Sequence, residues 1–201
     1  MDSKFNQFLL ENNNKSIEVS DTSALYQCMD LIQKYVDFLN IPLETVRRPY
    51  AYQVWTLASD LTKKYFNLVL NTANYIPPVG AIAVFGRDGD KVVSGIIRGI
   101  PVGHVSIVAP GTNVMDLISF DQNWDTQHYY HYDGRGNKIP YSRLVVHRKY
   151  DGVIGFLVLK PEYIKGSAIP DDVFVNKVKA IVDSATLSPM EKRQRITDLT
   201  K

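Results

Sequence analysis

From Leu25 onward apolar residues recur at 25, 28, 29, 32, 35, 36 and 39. That is one stripe at the 3.6-residue period, and it predicts an amphipathic helix. Asp21, Thr22 and Ser23 offer N-cap side chains ahead of it, and Pro42 follows its end. A second helix is predicted over "YAYQVWTLASDLTKKYFN", residues 50–67. After "NYIPPVG" the pattern changes to short apolar runs separated by turn signals. The runs are "AIAVF", "KVVSGII", "HVSIVA", "VMDLISFDQNW", "RLVVHR" and "VIGFLVLK", with turns at "GRDGD", "PGTN" and "KYDG". Helices followed by an antiparallel sheet predict an α+β domain ending near Pro161. Beyond it, residues 162–201 predict a helical extension or linker. There "AIPDDVFVNKVKAIV" opens with a proline and two acids, and Ser188, Pro189 and Glu191 form a capping box around an N1 proline.

The remaining bulk properties narrow the function by exclusion. A chain of 201 residues with 45% hydrophobic and 22% charged residues has the makeup of a folded globular protein. A net charge of +2 is too small to argue for nucleic acid. The first fifteen residues hold acids and no apolar core long enough for a secretory signal. The most apolar region, "VVSGIIRGIPVGHVSIVAP", is cut by glycines, prolines, Arg98 and His104, which argues against a membrane span. One cysteine excludes both an internal disulfide and a cysteine-cluster metal site.

That cysteine, Cys28, stands near the start of the first predicted helix, where the partial positive charge of a helix N-terminus favours an anion. Alone it reads as a small core residue. His104 changes the balance. It heads a strand after Gly103, and if "PGTN" is a hairpin turn, His104 lies opposite a residue near Ser119 or Asp121. The period-two face of that second strand carries Ser119, Asp121 and Asn123, with Gln122 pointing away. A thiol, an imidazole and a carboxylate or amide that orients it make up a Cys-His-acid triad.

The blocks "YQCMDLIQKYV", "PPVGAIAVFG", "VGHVSIV", "FDQNW" and "YDGVIGFLVLKP" resemble those of the CHAP family, the cysteine, histidine-dependent amidohydrolases/peptidases of bacterial and phage cell-wall lysins. The resemblance runs from about residue 16 to 161 and leaves the C-terminal helices outside. It implies a papain-like fold, with N-terminal helices packed on a twisted antiparallel sheet, and cleavage of an amide bond in peptidoglycan. It places the nucleophile on Cys28, the histidine on His104 and the orienting positions on Asp121 and Asn123. The oxyanion would be met by the Cys28 N–H with help from Gln27, and Trp55 and Trp124 would wall the substrate groove. Two positions depart from the family pattern. Ala81 stands where members often have aspartate after the "P-x-x-G" glycine. Some members also bind calcium through an Asp-rich loop ahead of the cysteine, whereas "IEVSDTSALYQCMD" offers only Asp21 and Asp30 as carboxylates. A hard cation wants six or more oxygens, so no cofactor and no metal is expected.

Other titratable residues read as ordinary. His128 and His131 in "HYYH" would face opposite ways in a strand and lack a third ligand. His147 on "RLVVHR" reads as a surface histidine, "EKRQR" as a solvated helix face, and "GRDGD" as a hairpin turn. The expected partner is bacterial peptidoglycan, with other phage tail or lysin components met through the C-terminal helices. The expected setting is a phage lysin held in the host cytoplasm until release through a pore, or one carried on the virion, acting at the wall. The rival expectation is a non-catalytic structural or wall-binding module of a phage particle on the same frame.

Overall fold

The structure, a computed structural model, describes residues 2–19, 27–88, 91–92, 96–97, 100–124, 130–148 and 150–164. The predicted C-terminal helices and the N-cap candidates at 21–23 lie outside the described residues. The architecture is α+β. Among the described residues, four helices, α1 (Asp2–Asn12), α2 (Cys28–Phe38), α3 (Gln53–Thr56) and α4 (Asp60–Tyr65), accompany twelve strands. Those strands are β1 (Phe66–Leu70), β2 (Ile82–Phe85), β3 (Arg87–Asp88), β4 (Lys91–Val92), β5 (Ile96–Ile97), β6 (Ile100–Pro101), β7 (His104–Val108), β8 (Asp116–Asp121), β9 (Tyr130–Tyr132), β10 (Lys138–Pro140), β11 (Arg143–Arg148) and β12 (Val153–Leu159). Six of them make one sheet in the order β1-β12-β2-β7-β8-β11, antiparallel at every step. The others form two-stranded ribbons, β3 with β4, β5 with β6 and β9 with β10.

The central strands are buried on both faces, which explains why their sequences read as unbroken apolar runs. The period-two rule still sorts them. Ile82, Val84, Val105, Ile107, Ile118, Phe120 and Leu157 face a core built with Phe5, Phe8 and Leu9 of α1 and Leu31, Ile32, Tyr35 and Val36 of α2. Ala83, Phe85, Leu117 and Phe156 join Tyr150 in a second cluster on the other side. Helix α1 lies outside the predicted elements, although Phe5, Phe8, Leu9 and Asn12 share a helical face and all are buried.

Three predicted elements differ. The first helix opens at Cys28 rather than Leu25, with Gln27 as its N-cap. Asp30, in its first turn, accepts the Gln27 backbone N–H at 2.7 Å, the reaching-back half of a capping box. The predicted second helix breaks into α3 and α4. Ser59 caps α4, its hydroxyl accepting from the Thr62 N–H at 3.2 Å, so a strong capping residue stops the helix midway. The chain then enters β1, which pairs with β12 at the sheet edge, Phe66 opposite Leu159. The sheet therefore begins before "NYIPPVG".

Trp55 of α3 lies on Gly155 of β12, where an added Cβ would come within 2.5 Å of the indole ring. Gly155→Ala is expected to force the ring or the strand aside and to cost about 1–3 kcal/mol, the scale of an overpacked core. Chemical denaturation checks this, and an unchanged midpoint would show that the indole yields freely.

Candidate active site

Cys28 occupies the first helical position of α2 and is 8% exposed. Its placement depends on the two residues that follow β8. Gln122, buried, holds two separate stretches of chain together. Its side-chain N–H groups donate to the carbonyls of Ile17 at 2.8 Å and Gln27 at 3.0 Å, and its oxygen accepts the Ile17 N–H at 2.8 Å. Asn123 donates to Gln27 Oε1 at 2.9 Å. The residue preceding the thiol is thus tied to the "DQNW" segment by both backbone and side chain.

His104 opens β7 and is 4% exposed. Gly103 ahead of it has φ +68, and a Cβ there would meet the Phe85 carbonyl at 2.6 Å and Tyr52 at 2.9 Å. Only glycine fits this approach, which brings α3's entry against the head of the strand. The imidazole Nε2 is hydrogen-bonded to Asp121 Oδ1, and Cys28 is near enough to contribute to the ring's electrostatics. Burial alone would push the imidazole down. The Asp121 carboxylate, with Cys28 beside it, outweighs burial and raises His104 to about 10. Asp121 is 0% exposed. Burial pushes its carboxyl up, but the His104 charge and the hydrogen bonds from both histidines hold it well below the usual carboxylate range. The pair is therefore an imidazolium and a carboxylate at neutral pH.

The register that joins them is not the expected one. Ile107 pairs with Phe120 and Val108 with Ser119, so His104 is not directly opposite Ser119 or Asp121. Extending the ladder would set Asn123 opposite His104, but β8 ends at Asp121. Asn123 then turns with φ 65 and sends its amide to Gln27. Asp121 reaches His104 diagonally, a separation long side chains span.

Trp124 stands against the site, its ring centroid 4.9 Å from that of His104 in an edge arrangement. Trp55 instead packs on β12, with β2 between that strand and β7. Gln27 sits beside Cys28 with its Oε1 engaged by Asn123.

His147 departs furthest from the surface position its strand pattern predicts. It is 5% exposed rather than a surface residue, and its Nε2 lies 3.0 Å from Asp121 Oδ2 and 2.7 Å from Ser119 Oγ. His131 is exposed, its ring tilted against that of Tyr141 at 4.6 Å between centroids, and His128 lies outside the described residues. Among the described residues no group of three or more His, Cys, Asp or Glu could hold a metal ion, and no helix is long and apolar enough to cross a membrane.

Comparison with known proteins finds no family model that matches the chain and no matching curated protein. Among solved structures the chain is similar to "Crystal structure of a wild type endolysin LysIME-EF1", with 17% sequence identity and a TM-score of 0.49. That likeness covers 78% of this chain and 62% of that one, so the chain spans less than two thirds of its length.

Proposed function

We propose that the chain is a cysteine-dependent hydrolase that cleaves an amide bond of bacterial peptidoglycan, as an N-acetylmuramoyl-L-alanine amidase or a peptide endopeptidase. The observation that carries this reading is a thiol on the first residue of a helix, beside a buried imidazole that a buried carboxylate holds. The resemblance of the "YQCMDLIQKYV", "VGHVSIV" and "FDQNW" blocks to CHAP enzymes supplies the substrate class.

In this mechanism the nucleophile is the Cys28 sulfur, reacting beside the imidazolium of His104. The sulfur attacks the amide carbonyl carbon, a C–S bond forms, and the carbonyl oxygen takes up the negative charge. The Cys28 N–H, in the first turn of a helix where backbone donors lack intrahelical partners, would meet that charge. As the C–N bond breaks, His104 gives its proton to the departing amine. A water then attacks the thioester while His104 takes one of its protons; the C–S bond breaks, the acid product gives its remaining proton to solvent, and sulfur and imidazolium return to their starting forms. Asp121 fixes the ring's orientation and stabilises its charged form throughout. None of these steps draws on a metal, so chelator is expected to leave the rate within about twofold. A loss in chelator that calcium reverses would place carbonyl ligands in the loop ahead of Cys28.

The setting we propose is a phage lysin, endolysin or virion-associated. The test is mass spectrometry of fragments released from a panel of purified cell walls. A new free carboxyl and amine at one bond is expected. Binding without any new termini would leave a non-catalytic wall-binding module.

A further inference from the structure

Resting on the cysteine-hydrolase reading, we propose that His147 is a positioning residue: with Ser119 it clamps the second oxygen of Asp121, so that one buried carboxylate is shared between two imidazoles. The geometry starts from the sheet. Strand β11 pairs with β8 so that Val145 lies opposite Ser119 and His147 opposite Leu117. Residues directly opposite share a face, so His147, Ser119 and Asp121 emerge on one side of the sheet. Asp121 Oδ1 faces His104. Oδ2 accepts the Ser119 hydroxyl at 2.9 Å and lies 3.0 Å from His147 Nε2.

Counting protons assigns the tautomer. Ser119 Oγ has one hydrogen and also lies 2.7 Å from His147 Nε2. If that hydrogen went to His147, Nε2 would face Asp121 Oδ2 as two acceptors in contact, which is repulsive. With the hydrogen given to Asp121, Nε2 carries its own proton and shares it between Oγ and Oδ2. Every donor in the cluster then points at the carboxylate. A fully buried carboxylate requires this, because an acceptor without donors is costly away from water.

His147 is buried, 5% exposed, behind aromatic side chains. Trp124 stands perpendicular to its ring at 4.3 Å, and Phe85 lies at 4.9 Å. The same two side chains touch His104, at 4.9 and 5.6 Å between centroids. The clamp therefore sets which way the Asp121 carboxylate turns, and through it how the His104 ring is presented to Cys28.

The test uses the full chain and two readouts, the rate of Cys28 alkylation by iodoacetamide at neutral pH and the kinetics of wall-amide cleavage. Alkylation needs thiolate but no wall substrate. His147→Leu is expected to lower alkylation and kcat by about tenfold, with KM moving less than about twofold. His147→Gln can place an amide N–H where Nε2 stands and is expected to recover to within about threefold. In an Asp121→Ala background, His147→Leu should add less than about twofold, because the residue it acts through is gone. If His147→Leu does not fold, His147→Asn replaces it; its amide is one methylene short of the Gln position, and it should be as slow as the leucine variant is expected to be. Equal rates for the Gln and Asn variants, a leucine variant as fast as wild type, or full additivity with Asp121→Ala would each overturn the proposal. Fast wild-type alkylation with no wall bond cut would instead sink the peptidoglycan reading, and the variants would still decide the clamp. A wild-type thiol that resists alkylation would take down both.

Discussion

Replacing Cys28 by alanine or serine is expected to abolish amide cleavage, a loss of at least about 10³-fold, while the protein stays folded. In the proposed mechanism the sulfur is the group that forms the acyl intermediate. Serine does not substitute for it, because an alkoxide is far harder to form than a thiolate beside the same imidazole. The side chain is small and sits at the first turn of α2, so the stability change should stay near about 1 kcal/mol. His104→Gln should be nearly as damaging. It leaves Asp121 a donor, which keeps the loss from being one of folding. The double variant should be no slower than either single one, since the two groups act as one unit. Release of soluble fragments from purified walls measures the rate, and circular dichroism with thermal melting measures the fold. Undiminished cleavage by a folded Cys28→Ala protein would remove the thiol from the chemistry.

The parts of this site that were legible in the sequence are those that depend on local pattern. His104 and Asp121 could be brought together because they belong to consecutive strands joined by one short connection, and a hairpin's symmetry limits the pairing. Even so, the register came out shifted. The connection is longer than "PGTN" alone: the Thr112 hydroxyl donates toward the Ala109 and Ile118 carbonyls and accepts the Ile118 N–H. A side chain, which hydropathy does not weigh, closes the turn. The start of α2 was misplaced for a similar reason. The apolar stripe continues upstream of Cys28, and the true N-cap is a glutamine, outside the usual capping set.

His147 was illegible for a different reason. Its strand reads as alternating, and Val146 beside it is indeed exposed, but the alternation does not say which set faces inward. That is decided by β11 lying against β8, a contact made across the intervening β9–β10 ribbon. The polar residues of one face, Ser119, Asp121 and His147, are buried because they satisfy one another. A rule that sends polar residues outward fails where a buried network replaces water, and such places are commonly functional.

Asp121→Asn is expected to slow cleavage by at least about 10²-fold, against a much smaller effect for Asn123→Ala. The asparagine keeps the size of the side chain but removes the charge that holds the imidazolium, and its amide end can present a donor where His104 needs an acceptor. Asn123, by contrast, bonds Gln27 and should act only through the placement of the helix start. The same substitution should change stability with a definite pH signature. His104 is raised from its ordinary 6.5 to about 10, so the stabilisation from its partner is fully present below about 6.5 and is lost as pH rises through about 10. Asp121 is lowered from 3.8, so its share is present above that value and is lost as pH falls through the lowered one. Both shifts describe one ion pair and count once. The groups facing it are Cys28 from α2, Ser119 on β8, and His147 and Arg143 from β11. Melting in a Cys28→Ala background isolates the His104–Asp121 pair from its neighbouring side chain. There the Asp121 protein should lose melting temperature between pH 7 and 10, and the Asp121→Asn protein should be flat across the same range. Parallel curves for the two would mean that the carboxylate does not hold His104 in its charged form, and the orienting role would pass to Asn123.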